Sequence, residues 1–119
     1  MFVGIDDTDS KEGMCTTYLA ALLCQKLNIS GTPKLVRLNP NIPYKTRGNG
    51  AVSFMVPNSD VGKIVLSYVK KYAKIKDENT NPGVVFLDSN EIPHQLNDFY
   101  WRAVSELVTI EDAQDYKVF

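Results

Sequence analysis

The sequence predicts an α/β (α+β) fold: a ferredoxin-like βαββαβ core with a mixed, mainly antiparallel sheet and an additional C-terminal helical segment. Three observations predict it. An apolar run, Phe2-Val3-Gly4-Ile5, opens the chain as a buried strand, and two amphipathic stretches at 14–27 and 60–72 carry apolar residues at helical spacing. Short apolar runs at 34–38, 51–56 and 84–87 supply three further strands. This order of elements places the first and third strands side by side at the centre of the sheet, with helices on one face. Depending on register, the acids behind Ile5 come near one end of the loop before Ala51.

Each element has its own signal. The first helix puts Leu19, Leu22, Leu23 and Leu27 on one face, and Gly31-Thr32-Pro33 closes it. The second and third strands are separated by residues 39–50, too long a stretch for a tight turn; loops of that length in a compact domain tend to be functional or disordered. Asp60 is expected to cap the second helix, whose stripe is Val61, Ile64, Val65, Tyr68, Val69 and Tyr72. Residues 79–83 form a turn before the fourth strand. Pro93 starts a third helix that should carry Leu96, Phe99, Tyr100, Ala103, Val104 and Leu107 into the core. Thr109 with Asp112 forms a capping box for a short last helix, and Lys117-Val118-Phe119 stops where another strand could start.

A chain of 119 residues with 44% hydrophobic content is expected to form one domain, residues 1–119, around one core. No run approaches the roughly 18 apolar residues of a membrane span, and acids at 6–12 occupy the place of a signal peptide's apolar centre. A cytoplasmic protein without membrane partners is expected. Cys15 and Cys24 would lie about 13 Å apart on one helix, beyond the ~7 Å reach of a disulfide, so both are read as reduced. The net charge of -1 hides an asymmetry: residues 13–76 hold ten Lys or Arg against Asp60 alone, and residues 77–115 hold nine acids against Arg102 alone. The middle of the chain could face a polyanion. Lys63, Lys70, Lys71 and Lys74 read as a solvated helix face, whereas Lys34, Arg37, Lys45 and Arg47 flank the long loop.

The chemistry concentrates in two places. Asp6, Asp7, Asp9 and Glu12 crowd the end of the first strand, where carboxylates repel one another unless a cation such as Mg²⁺ lies between them. Strand alternation would point Asp7 and Asp9 one way, as a metal pair, and Asp6 the other; the competing role is turn formation and capping. Thr16 and Thr17 fall in the first turn of the following helix, where free amides favour phosphate. Either hydroxyl could bind or accept a phosphoryl group, although on residue type alone capping is the simpler role. In the long loop Lys45 and Arg47 bracket Thr46 ahead of Gly48-Asn49-Gly50, a pattern of cations and approachable amides suited to phosphoryl transfer. No Walker sequence and no Ser-His-Asp or Cys-His pattern is present, and His94 reads as a surface residue. Residues 47–54 also fit the outline of an RNA-recognition motif, but Asn49 and Ala51 stand where the base-stacking aromatics belong.

Gly4-Ile5-Asp6-Asp7-Thr8-Asp9-Ser10, Gly13 through Ala20, Arg37-Leu38-Asn39-Pro40, Ile42 through Phe54 and Asn81-Pro82-Gly83 closely resemble the N-terminal region of archaeal isoleucine-tRNA agmatinylcytidine synthetases. The resemblance covers positions 4–87 and departs at Lys11-Glu12. It implies the N-terminal part of a longer ATP-dependent ligase that activates the wobble cytidine of isoleucine tRNA by phosphorylation and joins agmatine to it. ATP and Mg²⁺ are the implied cofactors, with isoleucine tRNA and agmatine as partners; it implies nothing about oligomeric state. Asp6, Asp7 and Asp9 would serve metal and phosphates; Thr17 and Gly50, from residue type and position alone, are the candidate nucleotide contacts beside them. Lys45, Arg47 and Asn49 would lie at the nucleotide or the reacting cytidine, and Thr16 matches the threonine that family members phosphorylate on themselves. The alternatives are a non-catalytic RNA-binding ferredoxin-like module and, third, a metal-dependent phosphohydrolase.

Overall fold

The computed structural model describes residues 1–8, 15–29, 31–41, 50–73 and 80–115. Among them the order is β1 (Phe2–Asp6), α1 (Thr16–Lys26), β2 (Lys34–Arg37), β3 (Gly50–Met55), a 3-10 turn (Ser59–Val61), α2 (Gly62–Tyr72), β4 (Gly83–Leu87), α3 (His94–Ser105) and α4 (Ile110–Gln114). The four strands form one sheet in the order β2-β3-β1-β4, with β1 and β3 at its centre as the sequence implies. Every neighbouring pair is antiparallel, so the expected mixed sheet is antiparallel throughout. β1 and β2 do run in the same direction, but β3 lies between them and no parallel ladder forms.

The core fills one face of the sheet. Val3 pairs with Phe54 and Phe86, and Ile5 with Val52 and Val84. Against these residues α1 packs Leu19, Ala20 and Leu23, and α2 packs Val65 and Val69. Val3, Ile5, Leu19, Leu23 and Val65 are 0–1% exposed. Burying each contributes roughly 1.5–3 kcal/mol over leaving it in water.

Helix boundaries differ from the sequence reading in two instructive ways. Asn28, not Gly31, ends α1: it adopts φ 53°, and the bonds Ile29 N–H to Cys24 O (2.9 Å) and Asn28 N–H to Gln25 O (3.2 Å) complete a Schellman motif. Asp60 does not cap α2, because a 3-10 turn precedes that helix; Asp60 instead donates its N–H to Asn58 Oδ1 at 3.0 Å. Thr109 and Asp112 do form the expected capping box on α4.

α3 departs further from expectation. Only Ala103 of its stripe is buried, Leu107 is 57% exposed, and Leu96, Phe99, Tyr100 and Val104 are half-buried. The helix takes no part in the main core. With Val36, Ala51 and Val85 of the sheet, its residues Leu96, Phe99 and Tyr100 line an open groove of about 1010 Å³. Periodicity identified the apolar stripe but not how much of the sheet it would have to cover. The possible strand at 117–119 lies outside the described residues.

Candidate functional site

The acidic turn begins where β1 stops. Asp6 pairs with Gly83 as the last residue of the strand, and Asp7 turns into the left-handed region at φ 53°. Asp and Asn tolerate that conformation better than most residues. The pleat therefore ends before Asp7, so the strand alternation expected to point Asp7 along the line of Val3 and Ile5 does not extend to it.

Two carboxylates fix the turn. Asp6 Oδ1 accepts the N–H of Asp7 at 2.8 Å, and Asp7 Oδ2 accepts the N–H of Asn81 at 2.8 Å. The second bond ties the turn to the entry of β4, 74 positions away in sequence. Hydrogen bonds to ionised groups of this kind are worth about 1.5–3 kcal/mol each.

The next residue ties the turn to α1. Thr8 is 0% exposed and Thr16 is 8% exposed. Their hydroxyl oxygens lie 3.0 Å apart, and the Thr8 N–H donates to Thr16 Oγ1 at 3.4 Å. Thr16 is thus not the cap of α1: Cys15 occupies the N-cap position without a side-chain cap bond. Thr17 does not cap either, since its hydroxyl lies 2.8 Å from Cys15 Sγ on the exposed side.

Sheet register brings the long loop's ends to the same place. Arg37, the last residue of β2, pairs with Gly50, the first of β3, so the segment between them leaves and re-enters at one end of the sheet. Ile5 pairs with Val52 two residues further in, which sets Asp6 at that same end. Asp6, Asp7, Arg37 and Gly50 all border the groove beside α3. Gly50 also has a packing role, because a Cβ there would lie 3.2 Å from the Val36 carbonyl oxygen.

Of the residues singled out in the sequence, Asp6, Asp7 and Gly50 thus border one groove and Thr16 is bonded to the next residue of the turn, Thr8, while Thr17 faces solvent beside Cys15. Asp9, Lys45, Arg47 and Asn49 lie outside the described residues. Sequence reasoning gave no role to Thr8 or Asn81 individually, although both fall in motif blocks, and it gave Arg37 only a place beside the loop. A buried threonine inside an acidic turn looks like an ordinary turn former until its partner across the loop is known.

Among the described residues no three His, Cys, Asp or Glu side chains converge. Two adjacent carboxylates still fit Mg²⁺, which commonly takes one or two carboxylates and completes its octahedron with water and phosphate oxygens. Among the described residues no helix is long and apolar enough to cross a membrane.

Residues 2–64 match the family model described as the TiaS TCKD domain. The chain is 50% identical to the isoleucine-tRNA 2-agmatinylcytidine synthetase TiaS of Pyrococcus horikoshii over 96% of its own length and 29% of that protein's. It is 48% identical to the same synthetase of Archaeoglobus fulgidus over 95% of the chain and 29% of the relative. Among solved structures it is similar to a complex of TiaS with an isoleucine tRNA and ATP, with 48% identity, a TM-score of 0.86, and coverage of 96% of this chain and 29% of that one. A complex of TiaS with an isoleucine tRNA, AMPCPP and agmatine gives 43% identity and a TM-score of 0.82, with coverage of 96% of this chain and 29% of that one. The chain therefore spans about 29% of the length of the relatives it matches.

Proposed function

The chain belongs to the TiaS TCKD domain family, and from that membership we propose that it forms the ATP- and Mg²⁺-binding part of an ATP-dependent, cytoplasmic tRNA-modifying ligase. The reaction proposed for the whole ligase phosphorylates the wobble cytidine of isoleucine tRNA and joins agmatine to the activated ring. Phosphorylation is needed because a ring oxygen leaves poorly until it carries a phosphoryl group.

One observation carries the reading for this chain: Thr8 joins the acidic turn and Thr16 into a single bonded unit, at the sheet end where Arg37 and Gly50 anchor the basic, glycine-containing segment. Asp6 and Asp7, with Asp9, would hold Mg²⁺ and through it the triphosphate. Once bound, the ion supplies positive charge against the transferring phosphoryl group. Thr16 offers a hydroxyl to accept phosphate, and Lys45 and Arg47 compensate developing charge. Thr17, Asn49 and Gly50 are assigned to nucleotide contacts. A non-catalytic RNA-binding module fits less well, since Ala51 occupies the β3 position where a stacking ring would be needed.

Isothermal titration with Mg·ATP tests the local site. Asp7→Asn keeps a side chain that tolerates φ 53° and can still accept the Asn81 N–H, but removes the charge. The expected outcome is binding weakened by roughly tenfold or more, equivalent to about 1.4 kcal/mol. Equal affinity in both proteins would remove the metal and nucleotide role from this turn.

A further inference from the structure

We propose that Thr8 is the positioning residue that makes Thr16, rather than Thr17, the phosphoryl acceptor. The inference rests on the phosphoryl-transfer reading above and adds to it a determinant of site choice. Two groups of Thr8 converge on one oxygen: its hydroxyl lies 3.0 Å from Thr16 Oγ1, and its N–H donates to the same atom at 3.4 Å. Both side chains are buried, at 0% and 8% exposure, so neither hydroxyl can exchange its partner for bulk water at low cost. No buried side-chain oxygen or nitrogen among the described residues is left without a partner. The Thr16 rotor is therefore fixed against the acidic turn.

Thr17 cannot share that position. Successive residues of an α-helix project about 100° apart, because a turn takes about 3.6 residues. The Thr17 hydroxyl accordingly lies beside Cys15 Sγ at 2.8 Å, on the exposed side.

In the transfer step Thr16 Oγ forms a bond to the γ-phosphorus of a nucleoside triphosphate. The bond from that phosphorus to the β,γ-bridging oxygen breaks, and the diphosphate departs with the electron pair. When Thr16 donates its proton to Thr8 Oγ and accepts the Thr8 N–H, one lone pair remains for attack; as the bond forms, Thr8 Oγ takes that proton and releases its own to a phosphate oxygen of the departing diphosphate. Thr8 itself has no net gain or loss.

The test compares the wild-type chain with Thr8→Val, which keeps the shape and removes the hydroxyl, and Thr8→Ser, which restores it. Each is incubated with Mg·ATP and the phosphorylated threonine is located by mass spectrometry. The side-chain rotamer of Thr16 is measured in parallel by three-bond NMR couplings. Expected are phosphate on Thr16 in the wild type, roughly tenfold slower labelling of Thr16 with a raised Thr17 share in Thr8→Val, and recovery in Thr8→Ser. The Thr16 rotamer should be single in the wild type and averaged in Thr8→Val. Wild-type labelling of Thr16 in Thr8→Val, or a rotamer that stays single in it, overturns the role of Thr8 and leaves the phosphoryl-transfer reading standing. Absence of phosphate from both threonines of the wild type overturns that reading and this inference with it.

Discussion

Asp7 is the residue where backbone and charge can be separated. At φ 53° a β-branched side chain clashes with its own backbone, whereas Asn and Asp are accommodated. Asp7→Val should therefore lower stability by about 1–3 kcal/mol, whereas Asp7→Asn should stay within about 1 kcal/mol of wild type. Chemical denaturation measures both; similar losses in the two variants would mean that the charge, and not the conformation, sets the cost. Cys24 gives a second residue-scale test. Burial pushes its thiol above the ordinary 9.0. The neutral form is thus favoured in the folded chain, so its contribution to stability is complete below that ordinary value and fades as pH rises through the folded one. Iodoacetamide at mildly alkaline pH should modify half-buried Cys15 first and reach Cys24 only on unfolding, as intact-mass spectra would show. The pair Thr8 and Thr16 shows the limit of residue-level reading. Threonine type and helix position suggested a cap for Thr16, and only the fold reveals that its hydroxyl is bonded to Thr8 instead.

At the scale of elements, what the sequence made legible was periodicity, and what it concealed was the behaviour of ends. The stripe of α2 and the β3 alternation were plain because one face of each is buried: Val65 and Val69 in the helix, Val52 and Phe54 in the strand. The termini depart from the sequence pattern where a local bond outcompetes the expected residue, as Asn28 does for Gly31 and Asn58 for Asp60. The capping box of α4 was legible because both partners lie within one turn. There Asp112 is held below the usual carboxylate range, first by the backbone N–H of Thr109 and then by its side chain. A carboxyl with a lowered folded value stabilises above its unfolded pKa and loses that effect as pH falls through the folded one. The first turn of α4 should therefore stay capped near pH 5 and fray below the ordinary 3.8. Amide shifts of Ile110 to Asp112 followed down in pH would show it; a transition centred well above 3.8 would contradict the cap.

For the molecule as a whole, the contrast between its two apolar surfaces decides how it opens. One face of the sheet is sealed by α1 and α2, whereas α3 and α4 border an open groove with Ile92, Leu107 and Ile110 more than half exposed. Segments with few buried apolar contacts unfold at lower free energy than the core. Native-state amide exchange should therefore find α3 and α4 opening in mild denaturant while β1, β3, α1 and α2 stay protected up to global unfolding. Leu19→Ala sharpens the test, because Leu19 is 0% exposed in the sealed core. The substitution should lower the opening free energy of β1, β3, α1 and α2 by about 2–5 kcal/mol. It should leave the opening of α3 unchanged, since that helix takes no part in the cluster around Leu19. The acidic turn follows the core set, being bonded to α1 through Thr16 and to the entry of β4 through Asn81. Its amides at Asp7 and Thr8 should consequently lose protection with β1 and not with α3. If they exchange with α3, the turn is not braced by the sealed core, and the preorganisation on which the proposed phosphoryl-transfer site depends is lost with it.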